Sequence, residues 1–515
     1  MRLINLLTNP NLIAVIIAIF TTGFLRLQVV GFPPDSDSGY YTFACQWFFN
    51  AITQNIVIKD SQLYLYQFLT AWVYALEVNQ IILLRIIDGI IAIAASLILF
   101  KVILKESGSK IFTIILMTSL LIILSDITNI YLGFKNSIWA AYLPLFSALL
   151  VWQNTSKEDK YSFYLIGGLV SFGILLREPF LPFFLLAGVV INIGYGWRAL
   201  LKYLIGSTIL VFSVLGFVLM FRGGDLYNLI HIYILHVDFV GDFGNWGLSF
   251  KSGILKLIHT SWFICIISLA SIFYFIKLNF RDKKIVEMNR FYFWILLATI
   301  PLIEPIFKIG FQYHYANCLI GLAGLSAMGW RYLSKEEFKR IKRPALMVIG
   351  LISLFVILPV VNSKIIKQNQ IIMPSDAIAL AADSTSFRHA HTIENDQYLK
   401  LAAEIYSLSR EDSTLVVSGL MQVLYPLTEL MPPTYELSWL RYLFIKLNFD
   451  ENKLINVLEE QRPTIIVTTD FHAGDAAMSE IIDKIDLYEK VGYIPSNSKR
   501  SYGWKSGTIY RLKDF

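Results

Sequence analysis

The chain has 515 residues, of which 56% are hydrophobic, 15% aromatic and 16% charged, with a net charge of +6. Soluble domains are about 45–50% apolar and about 25% charged, so the balance excludes an ordinary soluble enzyme and points to a polytopic membrane protein. The small positive charge fits basic cytoplasmic loops rather than a nucleic-acid-binding patch. The three cysteines, Cys45, Cys265 and Cys318, show neither a disulfide framework nor zinc-ligand spacing.

The first apolar run, 12–30, is long enough to span a bilayer and has no small-residue cleavage pattern after it, so it reads as an uncleaved helix. Further runs fall near 81–100, 111–126, 138–153, 161–176, 178–194, 200–221, 254–277, 291–308, 311–330 and 345–362, which predicts about eleven transmembrane helices. The aromatic-rich stretch 63–76 is a short span or an interfacial helix, and the choice sets the orientation of every later loop. Taken as interfacial, it leaves nineteen basic residues on the loops and helix ends of one side and eleven on the other. The bias is strongest in short loops such as 331–344, where the positive-inside rule is most reliable. The reading is therefore a multi-pass protein of the plasma (inner) membrane, with a cytoplasmic amino terminus.

The same orientation places the loops 31–60, 127–137 and 222–252, the pair Arg177-Glu178 and the turn 308–314 outside the cytoplasm. After residue 362 hydropathy drops, and strand-like stretches at 413–418, 464–469 and 507–512 alternate with helical ones, among them 475–488. The expected architecture is a membrane domain over 1–362 and an extracytoplasmic α/β domain over 363–515.

The most informative motif follows the first span, where Asp35 and Asp37 stand in Pro34-Asp-Ser-Asp-Ser-Gly-Tyr40-Tyr41. A carboxylate at a bilayer surface sits in a mixed dielectric that can tune its basicity, and the pair are candidate general bases. Asp35 is equally read as a turn or N-cap residue for a helix over 39–50, whose amphipathic part, 43–50, is expected to lie flat on the membrane surface. Arg177, Arg85, Lys59, Arg222 and Lys308 are cations at external helix ends, where a lipid phosphate would sit. Arg177-Glu178 is also open to reading as an inert ion pair with Pro179 starting the next helix. Arg85 and Asp88 are spaced to pair within one helical turn. Asp35, Asp37, Asp238 and Asp242 supply hard oxygens that could hold a divalent cation, Mg or Mn, without a demanding spacing.

The order Pro34, Asp37, Tyr40, Tyr41, Ala44 resembles the first external loop of the GT-C superfamily of glycosyltransferases. The likeness is to the bacterial relatives of dolichyl-phosphate-mannose protein mannosyltransferases and to aminoarabinose transferases. Leu63-Tyr-Leu-Tyr66 is similar to the family's interfacial helix, Arg85 to its arginine at a helix start, and Tyr313-His-Tyr-Ala-Asn317 to its late His-Tyr turn. Ser38 stands where the family often has Glu, Ser61-Gln62 where it has Pro-Pro, and Lys59 one position from its phosphate-contacting lysine.

The resemblance implies a sugar donor on a polyprenyl phosphate, Asp37 as base toward a glycan, lipid or protein acceptor, and substrate contacts from Tyr40, Tyr41, Tyr313, His314, Glu178 and Asp238. Such a reaction needs a base for the acceptor hydroxyl, cations for the departing phosphate and a groove for the prenyl tail. The rival readings are an O-antigen-type polymerase, which would centre on arginine-rich loops, and a transporter or flippase of lipid-linked glycans. The latter predicts mid-membrane charges and internal repeats.

Overall fold

The computed structural model describes residues 9–28, 30, 36–54, 65–76, 78–125, 136–156, 159, 161–177, 180–221, 254–282, 288–302, 315–333, 393–419, 421–440, 443–444, 447–469, 476–495 and 507–513. The chain packs as two compact units. One takes residues 1–29, 85–217 and 237–374, the other 30–84, 218–236 and 375–515. The expected boundary at 362/363 lies outside the described residues, and the second unit draws on the first loop as well as on the carboxyl-terminal third.

Helix α1 (Pro10–Leu27) starts where Asn9 accepts a hydrogen bond from the Asn11 backbone N–H at 3.0 Å and Pro10 takes the first helical position. Then come α2 (Ser36–Gln54), α3 (Leu65–Thr70) with a 3-10 turn at Ala71–Ala75, and α4 (Gln80–Ser107). Next are α5 (Lys110–Ser125), α6 (Asn136–Asn154), α7 (Ser162–Leu176), α8 (Leu181–Tyr195), α9 (Trp197–Phe221), α10 (Leu255–Asp282), α11 (Met288–Thr299) and α12 (Cys318–Leu333).

Each of the first ten expected apolar runs meets a helix, and the eleventh, 345–362, lies outside the described residues. Among the described residues, three helical stretches are long and apolar enough to cross a membrane: Pro10–Leu27, Gln80–Ser107 and Trp197–Phe217. Phe20, Phe212 and Phe273 are each at least 70% exposed, a cost that water would impose and hydrocarbon would not. The helix after Arg177 begins at Leu181 with Pro182 in its first turn, two residues later than expected from Pro179.

In the first unit the helices meet through small and polar side chains, as they do where lipid removes any hydrophobic drive between them. A Cβ on Gly167 of α7 would lie 2.1 Å from the Tyr203 carbonyl oxygen of α9, and one on Gly206 would lie 2.2 Å from that of Tyr164, so the two backbones touch. Ser268 of α10 reaches the Leu322 carbonyl at 2.7 Å and the Ser326 hydroxyl of α12 at 2.9 Å. α1 and α4 are joined by Thr22 and Ser96 at 3.1 Å and, farther along, by a buried ion pair between Arg26 and Asp88.

In the second unit α13 (Ile393–Leu408) precedes a sheet of β1 (Leu415–Val417), β2 (Ile465–Thr469), β3 (Tyr488–Ile494) and β4 (Gly507–Leu512), in the order β1-β2-β4-β3. β1 and β2 are parallel, the other pairings antiparallel, with a bulge between Lys490 and Gly492. The crossover from β1 to β2 passes through the short helix α14 (Leu424–Thr428) and α15 (Glu451–Gln461), and α16 (Ala476–Asp483) follows β2. The predicted strands at 413–418, 464–469 and 507–512 are found as β1, β2 and β4. β3 starts at Tyr488, where the predicted helix 475–488 was to end, because that helix stops at Asp483.

Both faces of the sheet are covered, as parallel strands require. Val416, Ile466, Tyr510 and Leu512 pack with α15 and α16 on one face. Leu415, Val417, Ile465, Val467 and Ile509 pack on the other with Tyr398, Leu401 and Ile405 of α13 and with Phe43, Trp47, Phe48 and Ala51 of α2. The expected surface helix therefore turns its apolar side to protein and not to lipid. The physical reason is one of area, because the sheet leaves a broad apolar face that α13 alone does not close.

α3 and its 3-10 turn lie on α2, with Cys45 and Thr70 3.3 Å apart and Tyr74 donating to the Thr42 carbonyl at 3.2 Å. At six residues and five they are too short to span. Burial in this seam pushes the Cys45 thiol up to about 12, against the opposing hydrogen bond with Thr70. A raised folded value contributes stability that is complete below the ordinary value of 9.0 and is lost as pH rises toward 12. The expected loss is about 4 kcal/mol over that window. Chemical denaturation followed by circular dichroism between pH 9 and 12 checks it: Cys45→Ala should flatten the decline, and an equal slope in both proteins rules the account out.

Candidate functional site

The sequence-predicted residues divide between the units. Asp37 is the second residue of α2 and Tyr40 the fifth, in the second unit. Tyr41 is half-buried and packs against the apolar cluster beneath α2. Arg85 and Arg177 belong to the first unit. Asp35, Lys59, Glu178, Arg222, Asp238, Lys308, Tyr313 and His314 lie outside the described residues, as does Asp242. No group of three His, Cys, Asp or Glu side chains able to hold a metal occurs among the described residues.

Asn79, in the second unit, caps α4 by accepting from the Ile82 backbone N–H at 3.2 Å, and Arg85 follows one turn later on the same helix, in the first unit and buried at 5% exposure. Asp88 takes its ion pair from Arg26 on α1 and not from Arg85, which corrects the pairing read from spacing. Arg26 in turn stands 5.9 Å from the centre of the Trp139 ring.

Arg177 closes α7 in an extended conformation (φ −159°, ψ 111°), its N–H still bonded to the Gly173 and Ile174 carbonyls at 3.0 Å. The Tyr142 hydroxyl of α6 donates to Asn317 Oδ1, just before α12.

Tyr142 stacks on Phe146 at 5.0 Å and meets Phe180 edge-on at 5.3 Å. These rings, with Leu145, Phe183, Leu186, Leu297, Pro301, Asn317 and Ile320, line a cleft holding about 500 Å3 of empty space, counting what is open to its surroundings. The cleft is apolar except at the Tyr142–Asn317 rim, an ordinary composition for a ligand pocket. Sequence reading quoted Asn317 in the late turn without choosing it and missed Tyr142. The aromatic spacing Trp139, Tyr142, Phe146 is the only signal it had, and every packed helix offers such stripes.

In the second unit the first turns of α2 rest on the segment after β1. A Cβ on Gly39 would lie 2.4 Å from the Val423 Cα, and Phe43 stacks on Tyr425 at 4.4 Å. Next to Val423, Gln422 is fully buried, and its amide oxygen and nitrogen have no hydrogen-bond partner among the described residues. Ser418 ties the ends of the parallel strands together, its N–H bonding the Val467 carbonyl at 2.9 Å and its hydroxyl accepting from the Thr469 N–H at 3.1 Å. The carboxyl edge of the parallel pair, the ordinary place for ligand contacts in such sheets, thus lies beside the first turn of the helix that carries Asp37.

A bundle of apolar helices with an apolar cleft, in a chain that also carries a mixed α/β unit, defines a helical membrane protein. Among solved structures, this fold is shared with ArnT from Cupriavidus metallidurans, an aminoarabinose transferase of the GT-C class whose crystal structure is bound to undecaprenyl phosphate. The likeness covers 97% of each chain with a TM-score of 0.57 at 11% sequence identity, and is a likeness of fold. No family model matches the chain, and no curated protein matches it.

Proposed function

We propose that the chain is an integral membrane glycosyltransferase that moves a sugar from a polyprenyl-phosphate carrier to a glycan, lipid or protein acceptor at the external face of the plasma membrane. The observation that carries this reading is the apolar cleft with its Tyr142–Asn317 rim, in a fold shared with a protein that holds undecaprenyl phosphate. The prenyl tail lies among Phe146, Phe180 and Phe183. The phosphate meets Arg177 and the Tyr142–Asn317 rim, and Arg85, Lys59, Arg222 and Lys308 are further cations for the same charge.

In the transfer itself, an acceptor hydroxyl attacks the anomeric carbon while Asp37 takes its proton. The bond from that carbon to the phosphate oxygen breaks, and the carrier departs as a phosphate monoester. Neutralising this leaving group matters more than protonating it, which is the task of the arginines. Gln422, whose amide is unsatisfied by described residues, is a further group for the acceptor, beside the roles of Tyr40 and Tyr41.

Arg177→Gln tests the donor half. A charged hydrogen bond to phosphate is worth about 1.5–3 kcal/mol, so the dissociation constant of undecaprenyl phosphate should rise by about 10–100-fold in equilibrium binding to the purified protein. Unchanged affinity removes Arg177 from the donor site.

A further inference from the structure

The first unit holds a knot of charge that sugar transfer does not use. It lies in the last turn of α4, about 30 Å along the helix from Arg85, where the end of α6 and the first turn of α11 arrive. Gln153 of α6 donates to Glu106 Oε1 at 2.7 Å and to the Val102 carbonyl at 3.1 Å. Arg290 of α11 faces the other carboxylate oxygen of Glu106 across 3.8 Å. Lys105 donates to the Gln153 carbonyl at 2.6 Å and to Asn154 Oδ1 at 2.5 Å. Glu106 is 1% exposed and Arg290 30%, so the carboxylate is sealed in while the guanidinium reaches the surface.

The charges in this knot do not balance. Among the described residues, two cations share one carboxylate, and an ion pair at 3.8 Å is too long to be a hydrogen bond. Arg290 forms no hydrogen bond with a described residue, although a guanidinium carries five donors. Lys105 spends two of its three N–H groups, both on neutral oxygens. What is left over is one positive charge with free donors pointing to an anion.

The neighbouring aromatic rings fix the depth of the knot. Trp152, beside Gln153, meets Phe293 of α11 with ring centres 4.8 Å apart, and Tyr195 at the end of α8 meets Phe163 in the first turn of α7 at 5.0 Å. Tyr161, just before α7, and Trp197, which opens α9, stand exposed at the same helix ends. Exposed Tyr and Trp at helix ends mark the layer of lipid headgroups, and basic sites between helices at that layer take anionic headgroups.

We propose that Arg290 and Lys105 hold the phosphate of a net-anionic phospholipid, such as phosphatidylglycerol, and so join α4 to α11. Glu106 is the internal counter-charge that keeps Arg290 in place when the lipid is absent, and it competes with the lipid for the guanidinium. The site is separate from the donor cleft and stands or falls without it.

The test titrates the purified full-length protein in neutral detergent with short-chain phosphatidylglycerol and phosphatidylcholine. Wild type should bind the anionic lipid about ten-fold tighter, since each basic residue near a membrane surface contributes about five-fold. Arg290→Gln should cut that preference about five-fold. Glu106→Gln should raise it about five-fold, because it frees both cations for the phosphate, whereas a purely structural knot gains nothing. Lys202→Gln, a basic residue in the first turns of α9, should leave the preference within about two-fold. Equal affinity of wild type for the two lipids overturns the site, as does a Glu106→Gln variant that gains no preference for phosphatidylglycerol. If Arg290→Gln fails to fold, the Glu106→Gln result decides. A loss in Lys202→Gln equal to that in Arg290→Gln means diffuse attraction and no site, and inorganic phosphate that competes at the lipid's own affinity means a soluble anion and no lipid.

Discussion

Replacing Asp37 by Asn should lower sugar transfer by about 10²–10⁴-fold, the usual contribution of a positioned general base, while leaving the affinity for undecaprenyl phosphate within about two-fold. The substitution keeps size and hydrogen-bonding reach and removes only the ability to take a proton. Its position in the first turn of α2 makes the helix itself tolerant of the change, since the dipole gain surrendered is about 0.3–1 kcal/mol. Initial rates from a labelled polyprenyl-phosphate sugar, with a membrane extract supplying acceptors, provide the measurement. Transfer that persists at the wild-type rate would end the role of Asp37, and lost binding would show that the residue acts on the donor instead.

The second large effect concerns stability. Arg26 and Asp88 are 4% and 0% exposed, so neither charge can reach water when its partner is removed. Asp88→Leu alone should cost about 3–5 kcal/mol, because it removes the opposite charge facing a buried guanidinium. The double change Arg26→Met with Asp88→Leu should recover most of that loss, since an apolar pair of similar volume needs no desolvation. Thermal melting of the detergent-solubilised protein separates the two cases: a double variant as unstable as the single one would mean that the pair is not the cause.

Much of the membrane part was legible because hydropathy responds to the solvent, not to the partner. Nearly every run longer than a few turns found a helix, and Asn79 and Pro10 mark helix starts by local chemistry that needs no tertiary context. What the sequence hid was pairing between distant segments. Asp88 lies one turn from Arg85, which suggests a bond within α4, yet the counter-charge comes from Arg26, more than fifty residues upstream. Likewise Phe43, Trp47 and Phe48 form the apolar stripe of a surface helix, and nothing local distinguishes a bilayer from a protein sheet as the surface that receives it. Of the predicted cations, Arg177 stands at a helix end as its position between two apolar runs suggests, but the bond between Tyr142 and Asn317 joins segments whose approach no spacing reveals. Gln422 carried no signal at all, because an amide is remarkable only once its surroundings are seen to offer it nothing.

The union of α2 with the sheet also bears on how the chain is made. Residue 54 leaves the ribosome 339 residues before residue 393, which at about 5–20 residues per second is a delay of roughly 20–70 s. For that time the side chains destined for the sheet have no native partner, so they must wait against the lipid headgroups or a chaperone. Assembly of this half of the molecule is thereby held back until translation is nearly complete, and a prematurely terminated chain would display a greasy ridge that quality-control proteases can recognise.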